Sequence, residues 1–303
     1  MKKIIFNTQK ISKSLLSKVV INSLVLILMA SAAMAQGDLL ISPLRIVFEG
    51  PKKSQEISLA NVGKDTSTYS VSVVNIRMRE DGSFEEITVP DSGQNFAGEY
   101  LRFFPRKVTL APNEAQVVKV QVIKANMLAP GEYRSHVYFR AVPDEKAVPE
   151  KPKEVKELVG KEADSINKST DTGSISIALK PIYGITIPVI IRVGENNGDV
   201  ALSDVAFNMA DQNPILSFSF NRLGNMSVYG DIKVEYVVAG EKPTQVKLVK
   251  GVGIYTPNKV RHLNIALDKV ENVDFHKCKL MVTYTLQTND KTPKTVQTEV
   301  ALN

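Results

Sequence analysis

The sequence predicts an all-β chain of 303 residues, folded as two β-sandwiches in tandem. Three observations predict it. Hydrophobicity alternates with period two along nearly the whole chain from residue 39 on. Short Gly-, Pro- and Asn-containing breaks interrupt the alternation every 8–12 residues or so, the spacing of sandwich strands. Helical periodicity is almost absent. The composition is that of an ordinary globular protein, with 43% hydrophobic and 23% charged residues, which excludes collagen-like, wholly disordered and disulfide-stapled proteins.

In chain order, residues 1–35 come first and stand apart. Lys2, Lys3, Lys10, Lys13 and Lys18 are followed by an apolar run, Val19 to Ala30, and by Ser31-Ala-Ala-Met-Ala35. A basic region, a short apolar region and a small-residue end predict a secretory signal cleaved after Ala35. The run is shorter than the roughly 20 apolar residues a membrane span needs. These lysines account for five of the six net positive charges, leaving +1. That balance offers no polyanion-binding surface, so nucleic acid is not an expected partner.

The next strands are Leu39–Phe48, Gln55–Val62 and Tyr69–Met78, separated by Glu49-Gly-Pro51 and Gly63-Lys-Asp65. Asp81-Gly82 is a hairpin turn leading to Phe84–Val89. Tyr100–Leu110 follows, then a Pro112-Asn113 turn and Ala115–Ile123. Val118, Val120 and Val122 share one face of that strand and Lys119 and Gln121 the other. Pro130-Gly131 turns the chain into Glu132–Val142. Residues 144–173 are rich in Lys, Glu, Ser and Thr and poor in large apolar side chains. They read as a long solvated loop, with a short surface helix an option over Glu154–Glu162; whether the loop is inert or touches a partner stays open.

Ser174–Gly194 is the most informative stretch. Every odd position from Ile175 to Val193 is apolar or aromatic, predicting one very long strand or two collinear ones. Strands usually run about 5–6 residues, so the length asks for a reason. Pro181 and Pro188 donate no ladder hydrogen bond and point to a sheet edge or a break. A long apolar edge invites pairing with another chain, a second copy included. Gly194–Asp199 is a polar hinge. Beyond it seven strands are expected: Val200–Met209, Ile215–Leu223, Ser227–Val238, Gln245–Ile254, Arg261–Leu267, Lys279–Leu286 and Thr295–Leu302. The division is thus 1–35, 36–194 and 195–303.

Four stretches carry a resemblance: Ile41-Ser-Pro-Leu-Arg-Ile-Val-Phe48, Ile57-Ser-Leu-Ala-Asn61, Phe104 to Lys119, and Gly131-Glu-Tyr-Arg-Ser-His-Val-Tyr-Phe-Arg-Ala-Val-Pro143. In this order, ahead of the long alternating strand, they resemble the periplasmic chaperones of the chaperone–usher, or pilus-assembly, family. The likeness covers residues 39–194; the remainder agrees in size and strand count.

The resemblance implies two immunoglobulin-like sandwiches in a boomerang, a periplasmic location, and no enzymatic activity or cofactor. The partners it implies are pilus or fimbrial subunits and an outer-membrane usher. It also implies a mechanism: the chaperone donates an edge strand to a subunit sandwich that lacks its last strand. Main-chain hydrogen bonds then give affinity, and alternating side chains fill pockets. Ile175, Ile177 and Leu179 are the first candidates for insertion, with Ile185 and Ile187 next. Alternatively that face completes the protein's own core. The family grips the subunit's terminal carboxylate with two basic residues; the first falls on Arg45. The second, a lysine on the last strand, falls on Gly184 or Pro188 according to alignment. Lys180 is the nearest lysine, and Arg192 lies further on. A structural or adhesive envelope adaptor of the same fold is the alternative function.

Catalytic patterns are missing. His136, His262 and His276 stand apart, and His276-x-Cys278 offers two ligands where a structural metal takes about four. The single cysteine excludes an internal disulfide. Gly-x-Ser-x-Gly, His-Glu-x-x-His and P-loop motifs do not occur, and Gly251-x-Gly253 precedes no helix that could cradle phosphate.

Overall fold

The computed structural model describes residues 38–143, 182–210, 213–271, 273–277, 279–288 and 294–302. The expected leader, the 144–173 loop and the first part of the alternating strand, with Ile175, Ile177, Leu179 and Lys180, lie outside them. Among the described residues the chain is all-β, and no helix is long and apolar enough to cross a membrane.

The expected strand over 39–48 divides. β1 (Leu39–Ser42) pairs antiparallel with β3 (Ser54–Asn61), while β2 (Ile46–Phe48) joins the opposite sheet. Pro43 at the break has no N–H to continue the ladder. Tyr100–Leu110 divides for the same reason at Pro105. β7 (Leu101–Phe104) pairs with β9 (Ala115–Val122), and β8 (Lys107–Leu110) pairs with β4 (Ser67–Val74) in the other sheet. β5 (Ile76–Met78) and β6 (Phe84–Glu86) form a separate hairpin through the Asp81-Gly82 turn, where Gly82 has φ +83°.

The N-terminal sandwich therefore faces a sheet of order β1-β3-β9-β7 against one of order β2-β11-β10-β4-β8, where β10 is Gly131–Val142 and β11 Gly184–Val193. Its core takes the expected side of each strand. Val118 and Val120 are fully buried while Lys119 is exposed. Ile46, Ile57, Leu59, Val137, Phe139 and Val189 have no exposed surface, and each such large side chain contributes on the order of 1.5–3 kcal/mol. Asn61 closes the turn after β3. Its Nδ2 donates to the Asp65 and Leu110 carbonyls at 2.8 and 3.0 Å, and its Oδ1 accepts from the Gly63 N–H at 2.9 Å.

β11 is shorter than the run read from the sequence, and it is not an edge throughout. β10 pairs with it antiparallel from Gly184 to Val193, and β2 pairs with it in parallel at Val189–Ile191. Gly184–Pro188 have a strand on one side alone among the described residues. Pro188 sits where the parallel pairing is about to begin, a place that needs no N–H from it.

The C-terminal sandwich consists of β12 (Gly198–Ala210), β13 (Asn213–Gly224) and β16 (Val260–Ala266) facing β15 (Thr244–Ile254), β14 (Val228–Val237), β17 (Lys279–Leu286) and β18 (Lys294–Ala301), in those orders. β14 alternates without a break, burying Val228, Gly230, Ile232, Val234 and Tyr236. The two cores are separate. A small cluster of Met78, Ile190 and Tyr255 joins the sandwiches. So do the Asn258 Nδ2 bond to the Met78 carbonyl at 2.7 Å and the His262 N–H bond to the Glu80 carbonyl at 2.7 Å.

Candidate functional site

Period two builds the site. On β2, Ile46 and Phe48 enter the core, so Arg45 and Val47 point the other way. On β10, Val137 and Phe139 lie in the core, leaving Glu132, Arg134 and His136 on the opposite face. On β11 the residues opposite the core are Pro188, Ile190 and Arg192. The registers bring them together: Glu132 lies across from Arg192, Arg134 from Ile190 and His136 from Pro188. The C-terminal sandwich covers this face with Ser227, Tyr229, Tyr255 and Thr256. Glu132, Arg134 and His136 are thereby left 2–4% exposed.

Glu132 is fully engaged. It accepts from Arg192 Nε at 3.1 Å, from the Ser227 N–H at 2.9 Å, from Thr256 Oγ1 at 3.0 Å and from the Ser227 hydroxyl. It therefore has little left for the other cations.

Arg45 and Arg134 are in the reverse situation. The Arg45 guanidinium stacks on Tyr229, 4.5 Å from the ring centre, and lies 5.7 Å from that of Tyr255. Arg134 lies over Tyr255 at 4.7 Å and donates from Nη2 to the Thr256 carbonyl at 3.3 Å. The Nε and Nη1 groups of both are sealed from solvent and have no hydrogen-bond partner among the described residues. Burial lowers the pKa of both side chains, countered for each by Tyr255. A desolvated cation–π contact returns about 2 kcal/mol. Each unmet buried donor costs about 1–3 kcal/mol, so two on each guanidinium match or exceed that return. An anion against either group would offset the deficit, and a carboxylate matches the planar fork.

Two cavities open on this face, and Arg45 lines the larger. A cleft of about 980 Å³ is lined by Arg45, Arg192, Tyr229 and Lys294 among others. A smaller cavity of about 250 Å³ shares Leu44 and Tyr229 with it and reaches His136. Burial, with Arg134 second, pushes the His136 pKa down to about 3, so its ring is neutral at pH 7.

Of the site residues expected from the sequence, Arg45 stands at the centre of this arrangement. Ile187 requires a correction. At 1% exposure it is packed in the N-terminal core and is not available for insertion, and Ile185 packs partly against the same core. The reason is β10, whose Val137 and Phe139 sit directly across from these two residues and share their face. Gly184, one of the two positions aligned with the family's lysine, lies under the Tyr138 ring. A Cβ there would come within 2.2 Å of that ring. Arg134, Tyr229 and Tyr255 were not anticipated. The signal for Arg134 is a strand, Glu132-x-Arg134-x-His136, that is polar on one side and ordinarily reads as a solvated face.

No family model matches the chain, and no curated protein does. Solved structures similar to it include a chain of the CsuC–CsuE chaperone–tip adhesion subunit pre-assembly complex, from the archaic chaperone–usher Csu pili of Acinetobacter baumannii. That chain is 10% identical, with 86% of this chain and 97% of that one covered at a TM-score of 0.42. The E. coli chaperone DraB is 11% identical, over 88% and 96%, at 0.40. The CupB2 chaperone of Pseudomonas aeruginosa is 12% identical, over 85% and 98%, at 0.39.

Proposed function

We propose that the protein is a non-enzymatic periplasmic chaperone that holds subunits of a pilus- or fimbria-type surface structure before their assembly. It adds a strand to an incomplete subunit sandwich alongside β11, and Arg45 with Arg134 grips the subunit's terminal carboxylate. The observation that carries this reading is the pair of buried guanidinium groups with unmet donors, placed beside the half-paired stretch Gly184–Pro188. Ile175, Ile177 and Leu179, which continue the alternation ahead of β11, supply the inserted side chains. Three large aliphatic side chains would be worth roughly 4.5–9 kcal/mol before association costs. Delivery to an outer-membrane usher completes the scheme.

The test is capture of co-expressed partners by tagged protein from the periplasm, with mass spectrometry of what is retained. Ile177→Asp with Leu179→Asp should abolish capture of subunits. Arg45→Gln should weaken it. Retention of the same subunits by the double variant at wild-type levels would exclude strand donation.

A further inference from the structure

We propose that the smaller cavity, which adjoins the cleft lined by Arg45, receives the side chain of the partner's last residue and selects an aromatic one. This inference rests on the carboxylate-gripping role of Arg45 and Arg134 and adds the specificity of that grip.

Position is the first argument. Leu44 and Tyr229 border both this cavity and the cleft that holds Arg45. With its carboxylate against Arg45 in the cleft, the proposed last residue sets its side chain past these two residues in the cavity. Thr186 and Pro188, in the half-paired part of β11, form another wall. A strand laid along that edge thus leads to the same place.

Size is the second. Pockets for whole small molecules run roughly 300–1,000 Å³, so about 250 Å³ is space for one large side chain. Chemistry is the third. The walls include Met78, Phe84, Tyr255 and the neutral ring of His136. Phe84 already meets His136 at 6.1 Å edge-on and Tyr255 at 6.2 Å, distances at which a further ring gains favourable edge contacts. Charge is the fourth. The Arg45 and Arg134 guanidinium groups lie 5.7 and 4.7 Å from the centre of the Tyr255 ring that lines the cavity, and Arg261 lines it too, which complements a carboxylate attached to an apolar group.

The probes are N-acetyl-phenylalanine, N-acetyl-alanine and N-acetyl-phenylalanine amide, titrated into the purified chain and followed by amide chemical shifts. N-acetyl-phenylalanine should bind on the order of tenfold tighter than N-acetyl-alanine, the return for burying one ring. Thr186→Trp, at an exposed position on the cavity wall, should erase that difference while N-acetyl-alanine still binds. Equal binding of the two acids by the wild type, both still preferred over the amide, overturns the cavity assignment and leaves the carboxylate grip standing. Equal binding of acid and amide overturns the grip, and the inference with it. No saturable binding of any probe at tens of millimolar overturns both.

Discussion

His136 gives the protein a calculable sensitivity to acid. Its ring is 4% exposed, and burial with the adjacent Arg134 guanidinium depresses its pKa to about 3. In the unfolded chain the same group titrates near 6.5. Below that value the unfolded state takes up a proton that the folded state refuses. Stability is therefore whole above about pH 6.5 and is lost progressively as pH falls toward 3. Between pH 7 and pH 5 the linkage relation returns a loss of about 2 kcal/mol from this one side chain. The assay is urea unfolding at pH 7, 6 and 5 for the wild type and for His136→Gln. Every other titrating group is common to both proteins, so only the difference in slope is read. The wild type should lose about 2 kcal/mol more than the variant over this range. Parallel curves, within about 0.5 kcal/mol, would show that the imidazole is solvated or paired in solution and would refute the reasoning.

Two further outcomes follow from the same face. Glu132→Ala leaves Arg192 Nε and the Ser227 and Thr256 donors without their acceptor, and should cost about 3–5 kcal/mol in urea unfolding; a loss under about 1 kcal/mol would show that the contact does not couple the sandwiches. Gly184→Ala drives a Cβ against the outer end of the half-buried Tyr138 ring and should destabilise the fold by up to about 1 kcal/mol. Tyr138→Ala in the same chain should recover most of that loss, and additive effects in the double-mutant cycle would exclude the contact.

Much of the architecture was legible because alternation reports which side of a strand is covered. The buried Val118 and Val120 and the unbroken β14 follow that rule, and the turn at Asn113, with φ 62°, follows from its own residue type. The prolines were harder. Pro43 and Pro105 are visible as breaks, but nothing local says that the chain changes sheets at each. Arg45 stands out in the sequence through its motif. Arg134 does not, because Glu132, Arg134 and His136 resemble any solvated strand face until a second sandwich seals them. Ile187 was misjudged because alternation is identical for a side chain given to a neighbour and one kept at home, and only the register with β10 separates the two.

The parallel pairing of Ile46–Phe48 with Val189–Ile191 has a consequence for biogenesis. Ile46–Phe48, made early, stay unmatched until residue 191 has emerged, so the sandwich closes late in synthesis. Until then its greasy interior lies open, and the protein passes through the same incomplete condition that its own proposed clients present to it.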